Sequence, residues 1–456
     1  MQTLQKENKM GVMPVGKLLA TMALPMIVSM LVQALYNIVD SIYVSRVSED
    51  ALTAVSMAFP VQNLIIGFST GIGVGVNSLL SKSLGSRDFD RANRAAGNGL
   101  ILAAICSLAF MVLGGLFSGL FFQMQSDIPA IVDGGTEYLS ICTVFSFGIF
   151  GEILFERLLQ ATGRTMYTMI TQGIGAILNI MLDPLFIFGG LGIAPMGVAG
   201  AAVATVIGQI VAFVLAVILH FTKNKDVKLS FAAIKLKWHV LKPILGVGVP
   251  SVLMVAIGSL MTLCMNGILY NFTPTAVSVF GAYFKLQSFI FMPLFGLNNA
   301  LISIVAYNYG ARQPERIRRV IALAMCVAFG LMMIGFLSFQ FCPELLLSMF
   351  EPTEQFMKIG CDALRAIGWH YLAAGFCIVL NAVFQALGKG LYSTFNSMAR
   401  QLVVLLPAAY LLSLTGRLEL VWWSFPIAEV MSLTVSALLF THLYRKLLRP
   451  MFRENQ

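Results

Sequence analysis

Residues 83–94 read SLGSRDFDRANR and residues 308–319 read NYGARQPERIRR. Laying Gly85 over Gly310 sets an offset of 310 − 85 = 225, which also superposes Arg87 on Arg312, Arg91 on Arg316 and Arg94 on Arg319. Moving outward at the same offset, Pro25 meets Pro250, Ala51 meets Ala276, Phe59 meets Phe284 and Gln62 meets Gln287. Gly71 then meets Gly296, Ser78 meets Ser303, and Gln160-Ala161-Thr162-Gly163-Arg164 lies over Gln385-Ala386-Leu387-Gly388-Lys389. A chance alignment of apolar sequence would match Leu and Val. This one matches Gly, Pro, Gln and Arg, the residues of helix ends and kinks, so the chain is a duplication.

The duplicated unit belongs in lipid. Of 456 residues 58% are hydrophobic and 11% charged, against about 45–50% and about 25% in soluble domains, and the mean hydropathy is +0.84. Backbone polar groups in a bilayer are satisfied within the segment, so apolar runs of roughly 20 residues read as helices. Twelve are expected, near 18–44, 51–80, 95–122, 136–160, 165–190, 197–221, 243–270, 276–306, 320–348, 359–386, 391–414 and 420–443. The offset carries six of them. An even number keeps both halves in one orientation, so the fold class is all-α integral membrane, with two six-helix lobes related by a pseudo-two-fold axis along the membrane normal. The expected organisation is a cytoplasmic N-terminal segment (1–17), an N-lobe (18–221), a cytoplasmic basic linker (222–242), a C-lobe (243–443) and a cytoplasmic tail (444–456).

A net charge of +9 suggests nucleic acid until the basic residues are placed. With both termini taken as cytoplasmic, only Arg46, Lys358, Arg365 and Arg417 fall outside and Lys285 and Arg400 within spans. The remaining Lys and Arg, Lys6 and Arg157 among them, fall inside. That is the positive-inside asymmetry, a topology signal rather than a nucleic-acid footprint. The polar first 17 residues and the long apolar run that follows do not read as a cleaved leader. The seven cysteines form no C-x-x-C and meet no His at metal spacing, so they read as small buried hydrophobes and no metal site is expected.

Two lobes about an axis leave a cleft near the midplane, and rocking one against the other opens it to each side in turn. Intramembrane ionisable groups are costly and mark function by default. The first span carries Gln33, Tyr36, Asn37 and Asp40, and spacings of three, four and seven put Gln33, Asn37 and Asp40 on one face. The fifth carries Asn179 and Asp183 one turn apart, and Thr205 on the sixth lies at a compatible depth. Carboxylates, amides and a hydroxyl form an all-oxygen set suited to Na⁺ or a shared proton, and both acids cannot cheaply ionise together in low dielectric. The repeat sharpens this, because Met265 stands opposite Asp40 and Ala408 opposite Asp183. Coupling is therefore expected in the first lobe. Glu152 and Glu156 sit beside Arg157 near the inner end of the fourth span and read as a solvated structural cluster. Lys285, Arg400 and Glu429 are expected to pair across helices or snorkel. Gly71, Gly73 and Gly75 lie inside an apolar span with no strand before them, so they read as packing positions rather than a nucleotide loop.

Asn37-Ile38-Val39-Asp40, Gly85-Ser86-Arg87, Leu159 through Arg164, Leu178-Asn179 through Asp183-Pro184, and Gly197 through Thr205 resemble the multidrug and toxic compound extrusion (MATE) family, in the bacterial branch of MepA-like and DinF-like exporters. The resemblance covers nearly the whole chain. It implies a twelve-helix antiporter of a bacterial cytoplasmic membrane that expels organic cations or amphipathic compounds in exchange for H⁺ or Na⁺. It also implies an N-lobe ion site of Asp40, Asn179, Asp183 and Thr205. Some members add acids on the seventh and tenth helices, and this chain has none in the body of either. Gln33, Tyr36, Gln287 and Asn299 are candidate polar contacts in a Met- and Phe-rich cavity that could repack around different cargoes. The expected partners are small amphipathic or cationic molecules and the bilayer, with no nucleic acid and the chain acting as a monomer. No cofactor is expected beyond the coupling ion.

Two other classes are weighed. A flippase for a lipid-linked sugar or peptidoglycan precursor would place several Arg or Lys in the cavity, where only Lys285 and Arg400 are available. A membrane enzyme would need a nucleophile with its base, or metal ligands, at workable spacing. His220, His239, His370 and His442 are scattered and offer neither.

Overall fold

The structure, a computed structural model, describes residues 8–190, 192–229, 234–350 and 353–454. Residues 1–7 of the expected N-terminal segment, Lys6 among them, 230–233 of the linker and 455–456 of the tail lie outside the described residues. The chain is helical: α1 (Lys9–Val12), α2 (Val15–Ser45), α3 (Glu49–Gly85), α4 (Phe89–Gln123), α5 (Pro129–Val144), α6 (Phe147–Ala161), α7 (Thr165–Phe188) and α8 (Val198–Lys223). The second half holds α9 (Trp238–Tyr270), α10 (Pro274–Gly310), α11 (Pro314–Phe341), α12 (Pro343–Ser348), α13 (Glu354–Gly368), α14 (Tyr371–Ala386) and α15 (Gly390–Met398). It continues as a π-helical stretch Ala399–Leu405, α16 (Leu406–Ser413), α17 (Leu418–Val421), α18 (Ser424–Leu443), a π-turn Tyr444–Leu448 and α19 (Arg449–Glu454).

Ten of these stretches are long and apolar enough to cross a membrane singly. The pairs α5/α6 and α13/α14 complete the twelve as broken spans, bent by 43° and 53°. The bends fall at equivalent places, since Phe145 and His370 are one offset apart. The exposed faces are apolar: Leu116, Phe117 and Leu120 on α4 and Ile334 on α11 present side chains outward, as a lipid solvent requires.

The duplication is written into the turns. After α3 the chain closes with Arg87 N–H to Leu84 O at 3.1 Å and Asp88 N–H to Ser83 O at 2.9 Å; after α10, Arg312 N–H meets Tyr309 O at 3.3 Å and Gln313 N–H meets Asn308 O at 3.0 Å. This is a helix ending on a left-handed residue, and the residues are Arg87 (φ 59°) and Arg312 (φ 52°). The turns after α6 and α14 use Gly163 (φ 81°) and Gly388 (φ 74°) in the same way, where a glycine removes the side-chain penalty. Even the caps repeat. Ser48 Oγ accepts from Ala51 N at the start of α3, and Thr273 Oγ1 accepts from Thr275 N at the start of α10.

The lobes meet through glycine. A β-carbon on Gly71 of α3 would lie 2.8 Å from Gly248 O of α9, and one on Gly296 of α10 would lie 2.7 Å from Ile27 N of α2. At the end of the bundle where both termini, the linker and the Arg-bearing turns emerge, α3 crosses α10. There, β-carbons on Gly85 and Gly310 would collide with the carbonyls of Tyr307 and Lys82, themselves one offset apart. We call this end the basic face. Hydrogen bonds between lobes gather toward it: Ser303 Oγ to Asn77 Oδ1 at 3.0 Å, and Ser78 Oγ to Gln385 O at 2.8 Å.

Near both ends the described residues form more helix than a polar segment and a tail suggest. α1 is wedged between the lobes: Asn8 donates to Thr162 O, while Arg316 donates to Met10 O and Met13 O. At the other end the helix persists through the π-turn into α19, whose second residue is Pro450.

The crossing yields a prediction. Gly85→Val should force α3 and α10 apart and destabilise the purified protein by about 1–3 kcal/mol, read as a lowered unfolding temperature in detergent. Gly173, with open space where its β-carbon would lie, tolerates Ala without loss.

Candidate functional site

Two glycines make the site possible. Gly175 of α7 and Gly208 of α8 face each other, a β-carbon on Gly208 falling 2.8 Å from Gly175 O. Helices this close let polar side chains one turn away meet. Asn179 Nδ2 donates to Asp183 Oδ1 and to Thr205 Oγ1, each at 3.3 Å. Asn179 and Asp183 are buried. Asp40, near the far end of α2, lies within electrostatic reach of Asp183. Four of the expected residues are thus brought together, in the half of the N-lobe away from the basic face.

The cluster is rich in acceptors and short of donors. Asp40 Oδ1, Asp183 Oδ2 and Asn179 Oδ1 are all buried without a hydrogen-bond partner among the described residues. A buried polar atom left unpaired costs about 1–3 kcal/mol, and more when charged. Three such oxygens around one amide and one hydroxyl are the donor set for a small hard cation, or for a proton shared between carboxylates. No group of three His, Cys, Asp or Glu suited to a metal ion occurs among the described residues.

Asn37 is not part of the cluster. It is exposed, and its carbonyl accepts from Ser41 Oγ at 2.9 Å. Positions 33, 36 and 40 turn inward on α2 and 37 falls to the side. Tyr36 takes the inner place, close to Gln33 and within electrostatic reach of Asp40, Asp183 and Glu152. Nearby, Gln62 Nε2 donates to Tyr138 Oη at 2.9 Å, a pair the sequence reading overlooked.

Glu156 and Arg157 overturn the expectation of a solvated cluster. They are 2% and 7% exposed, because α6 packs against α3 and α8 and also touches α7 and α10. Thr171 Oγ1 donates to Glu156 Oε1 at 2.8 Å and Gln172 Nε2 to Oε2 at 2.7 Å, while Gln172 in turn contacts Ser29. Arg157, counted as facing the cytoplasm, instead donates to Gln160 at 2.9 Å and across the lobes to Asn299 Oδ1 at 2.7 Å. Asn299 is therefore a joint between lobes. The missed signal was Gln172, seven residues before Asn179 and so on the same face of α7.

The C-lobe is built differently. Met265, the counterpart of Asp40, is buried among apolar groups, and Ala408, the counterpart of Asp183, is half-buried. Where the N-lobe has Gly175, the C-lobe has Arg400, inside the widened π-helical stretch, and its guanidinium pairs with Glu429 Oε2 at 2.9 Å. Gln287 lies close to Tyr283, which is within electrostatic reach of this pair. Lys285 is exposed. The tenth span starts at Glu354, five residues before the expected boundary, which places Asp362 in the third turn of α13, half-buried. Arg400→Met should strand Glu429 and cost about 3–5 kcal/mol, measured by thermal unfolding. Adding Glu429→Leu should recover much of that loss.

The comparisons with known proteins agree with this architecture. The MatE family model matches residues 25–185 and again 250–411, starting 250 − 25 = 225 positions apart. The multidrug export protein MepA of Staphylococcus aureus is 27% identical over 450 residues, covering 95% of this chain and 94% of its own length. A probable multidrug resistance protein of Bacillus subtilis, YoeA, is 25% identical over 94% and 93%. An FAD transporter of Shewanella oneidensis is 25% identical over 92% of each chain. Among solved structures, an outward-facing multidrug resistance MATE transporter superposes with a TM-score of 0.90 at 26% identity, covering 99% of this chain and all of the other. A MOP superfamily transporter from Pyrococcus furiosus gives 0.91 at 26% identity over 98% and 100%. With two halves of one family on a twelve-span membrane fold, the chain belongs to the MATE family of transporters.

Proposed function

We propose that this chain is a secondary active exporter of cationic or amphipathic small molecules, driven by exchange with H⁺ or Na⁺ at the N-lobe acids. The observation that carries the reading is the trio of buried, unpaired oxygens on Asp40, Asn179 and Asp183. A cation or proton held there offsets their desolvation. Rocking the lobes alters solvent access to the acids, so loading on one side and release on the other can be tied to cargo movement. The glycine crossings and α1 hold the lobes together at the basic face, which supports an outward-facing state, with that face and both termini cytoplasmic in an inner bacterial membrane. The site draws its residues from α2, α7 and α8 of one lobe, so the proposed exchange needs no second copy of the chain.

The cargo class follows from charge. The N-lobe holds Asp40, Glu152, Glu156 and Asp183 within its helices and favours a cation, in line with the names of the Staphylococcus and Bacillus relatives. The flavin dinucleotide named for the Shewanella relative is an anion and fits that interior poorly. A flippase reading gains nothing, because Arg400 is already engaged by Glu429.

Export of a cationic dye should be followed in vesicles with a proton gradient or a Na⁺ gradient imposed one at a time. Wild type is expected to respond to one of them. Asp40→Asn should remain folded and inserted yet lose uphill export, whereas neutralising Arg400 and Glu429 together should reduce coupling less. Undiminished coupled export by Asp40→Asn would remove the proposed ion site.

A further inference from the structure

The pseudo-two-fold axis makes two equivalent hollows at the basic face, and among the described residues only one is filled by a segment of chain. The filled one takes α1. Arg316 donates to the carbonyls of Met10 and Met13 at 2.9 and 2.7 Å, Asn8 Nδ2 reaches Thr162 O at 3.1 Å, and Arg164 pairs with Asp226 at 3.4 Å. Both cations of that hollow therefore have acceptors, and a short piece of chain joins the two lobes.

One offset away the counterparts are Arg91 for Arg316, Lys389 for Arg164 and Lys82 for Tyr307. The segment corresponding to α1 does not enter. Its counterpart, around Lys235 to Lys237, is tied to α4, where Asn98 Nδ2 donates to Lys235 O and Asn98 Oδ1 accepts from Lys237 N, both at 3.1 Å. What remains is a cavity of about 230 Å³ with Lys82, Arg91, Lys389, Ser78, Tyr309 and Leu447 in its wall. None of its lining residues is acidic, and none of its three cations has an ion-pair partner among the described residues. Arg91 Nε is buried without an acceptor. Lys82 rests over the Tyr309 ring at 4.8 Å, within electrostatic reach of Arg91 and Lys389.

We propose that this second hollow binds a phosphate-bearing anion, with Arg91 and Lys389 as its principal ligands and Lys82 as the charge at its floor. Three cations brought together repel one another, and an anion between them turns that repulsion into attraction. The planar guanidinium of Arg91 suits two phosphate oxygens, and the lysines act as point charges. Size points to a headgroup rather than to cargo, since sites for drug-sized ligands run to about 300–1,000 Å³. Basic pockets between spans on this side of a membrane are where anionic lipid headgroups lodge. Lys82 and Arg91 belong to the N-lobe and Lys389 to the C-lobe, so the anion would tie the lobes together on this side as α1 does on the other. The phosphate can come from an anionic lipid or from solution, and the two are separable.

The test uses full-length purified protein and native mass spectrometry, with phosphatidylglycerol and phosphatidylcholine titrated in parallel and inorganic phosphate added in a separate arm. Wild type should retain phosphatidylglycerol in clear preference to phosphatidylcholine. Lys389→Glu, at an exposed position where folding is not at stake, and Arg91→Gln should each cut that retention by about fivefold or more. Arg417→Gln, whose exposed pair with Glu419 lies on the opposite side, should leave it unchanged. If inorganic phosphate displaces the lipid, the hollow takes the phosphate group from either source; if it does not, the headgroup in its membrane setting is the ligand. Equal retention of the two lipids, unaltered retention in Lys389→Glu and Arg91→Gln, or an equal loss in Arg417→Gln overturns the proposal.

Discussion

An oxygen atom buried in a membrane protein cannot turn to water for a hydrogen bond, and one cluster of the N-lobe, at Asp40, Asn179 and Asp183, buries three that have no partner among the described residues. Asn179 spends its amide donor on Asp183 and Thr205, leaving its own oxygen and one oxygen of each of two acids unmatched. Such a cluster is stable only when something positive resides in it, or when a carboxyl is protonated. In the proposed mechanism that requirement links the fold to transport. Whatever changes solvent access to the cluster also changes what it holds.

The duplicated chain sets up this site and then breaks its own symmetry. The scaffold is repeated closely: left-handed arginines at 87 and 312, left-handed glycines at 163 and 388, and reciprocal glycine contacts at 85 and 310. The interior is not. A glycine crossing in the N-lobe, at Gly175 and Gly208, draws α7 and α8 together around Asn179. The same place in the C-lobe carries Arg400, a widened helix and a closed ion pair with Glu429. One lobe keeps unsatisfied charge, the other cancels it, and the glycine contacts between them give a surface on which the two can rock.

The spans and the duplication were legible because lipid imposes a coarse code: long apolar runs, basic inner loops, and Gly or Arg at turns where the backbone must be left-handed. Asp40, Asn179, Asp183 and Thr205 were legible for a related reason, since polar groups are rare enough in such helices to stand out. What was not legible depended on which helices touch. Glu156 beside Arg157 has the look of a surface pair until α7 supplies Thr171 and Gln172. Asn37 falls within the tolerance of helical spacing from Asp40 yet turns aside, and Tyr36 takes its place. The bends at Phe145 and His370 have no proline to announce them; packing around buried His370, stacked near Phe291 and Tyr371, accompanies the second. α1 is four residues long and too short to signal itself, and its order comes entirely from Asn8, Arg316 and the lobes it joins.

The most direct test is to ask whether cargo and coupling ion displace one another at the same carboxyls. Purified protein in weakly buffered detergent solution should release protons, or bound radioactive Na⁺, when a cationic substrate is added. The account predicts release from wild type and none from Asp183→Asn, with cargo binding retained in both. Equal release from the two proteins would place the exchange elsewhere and contradict it.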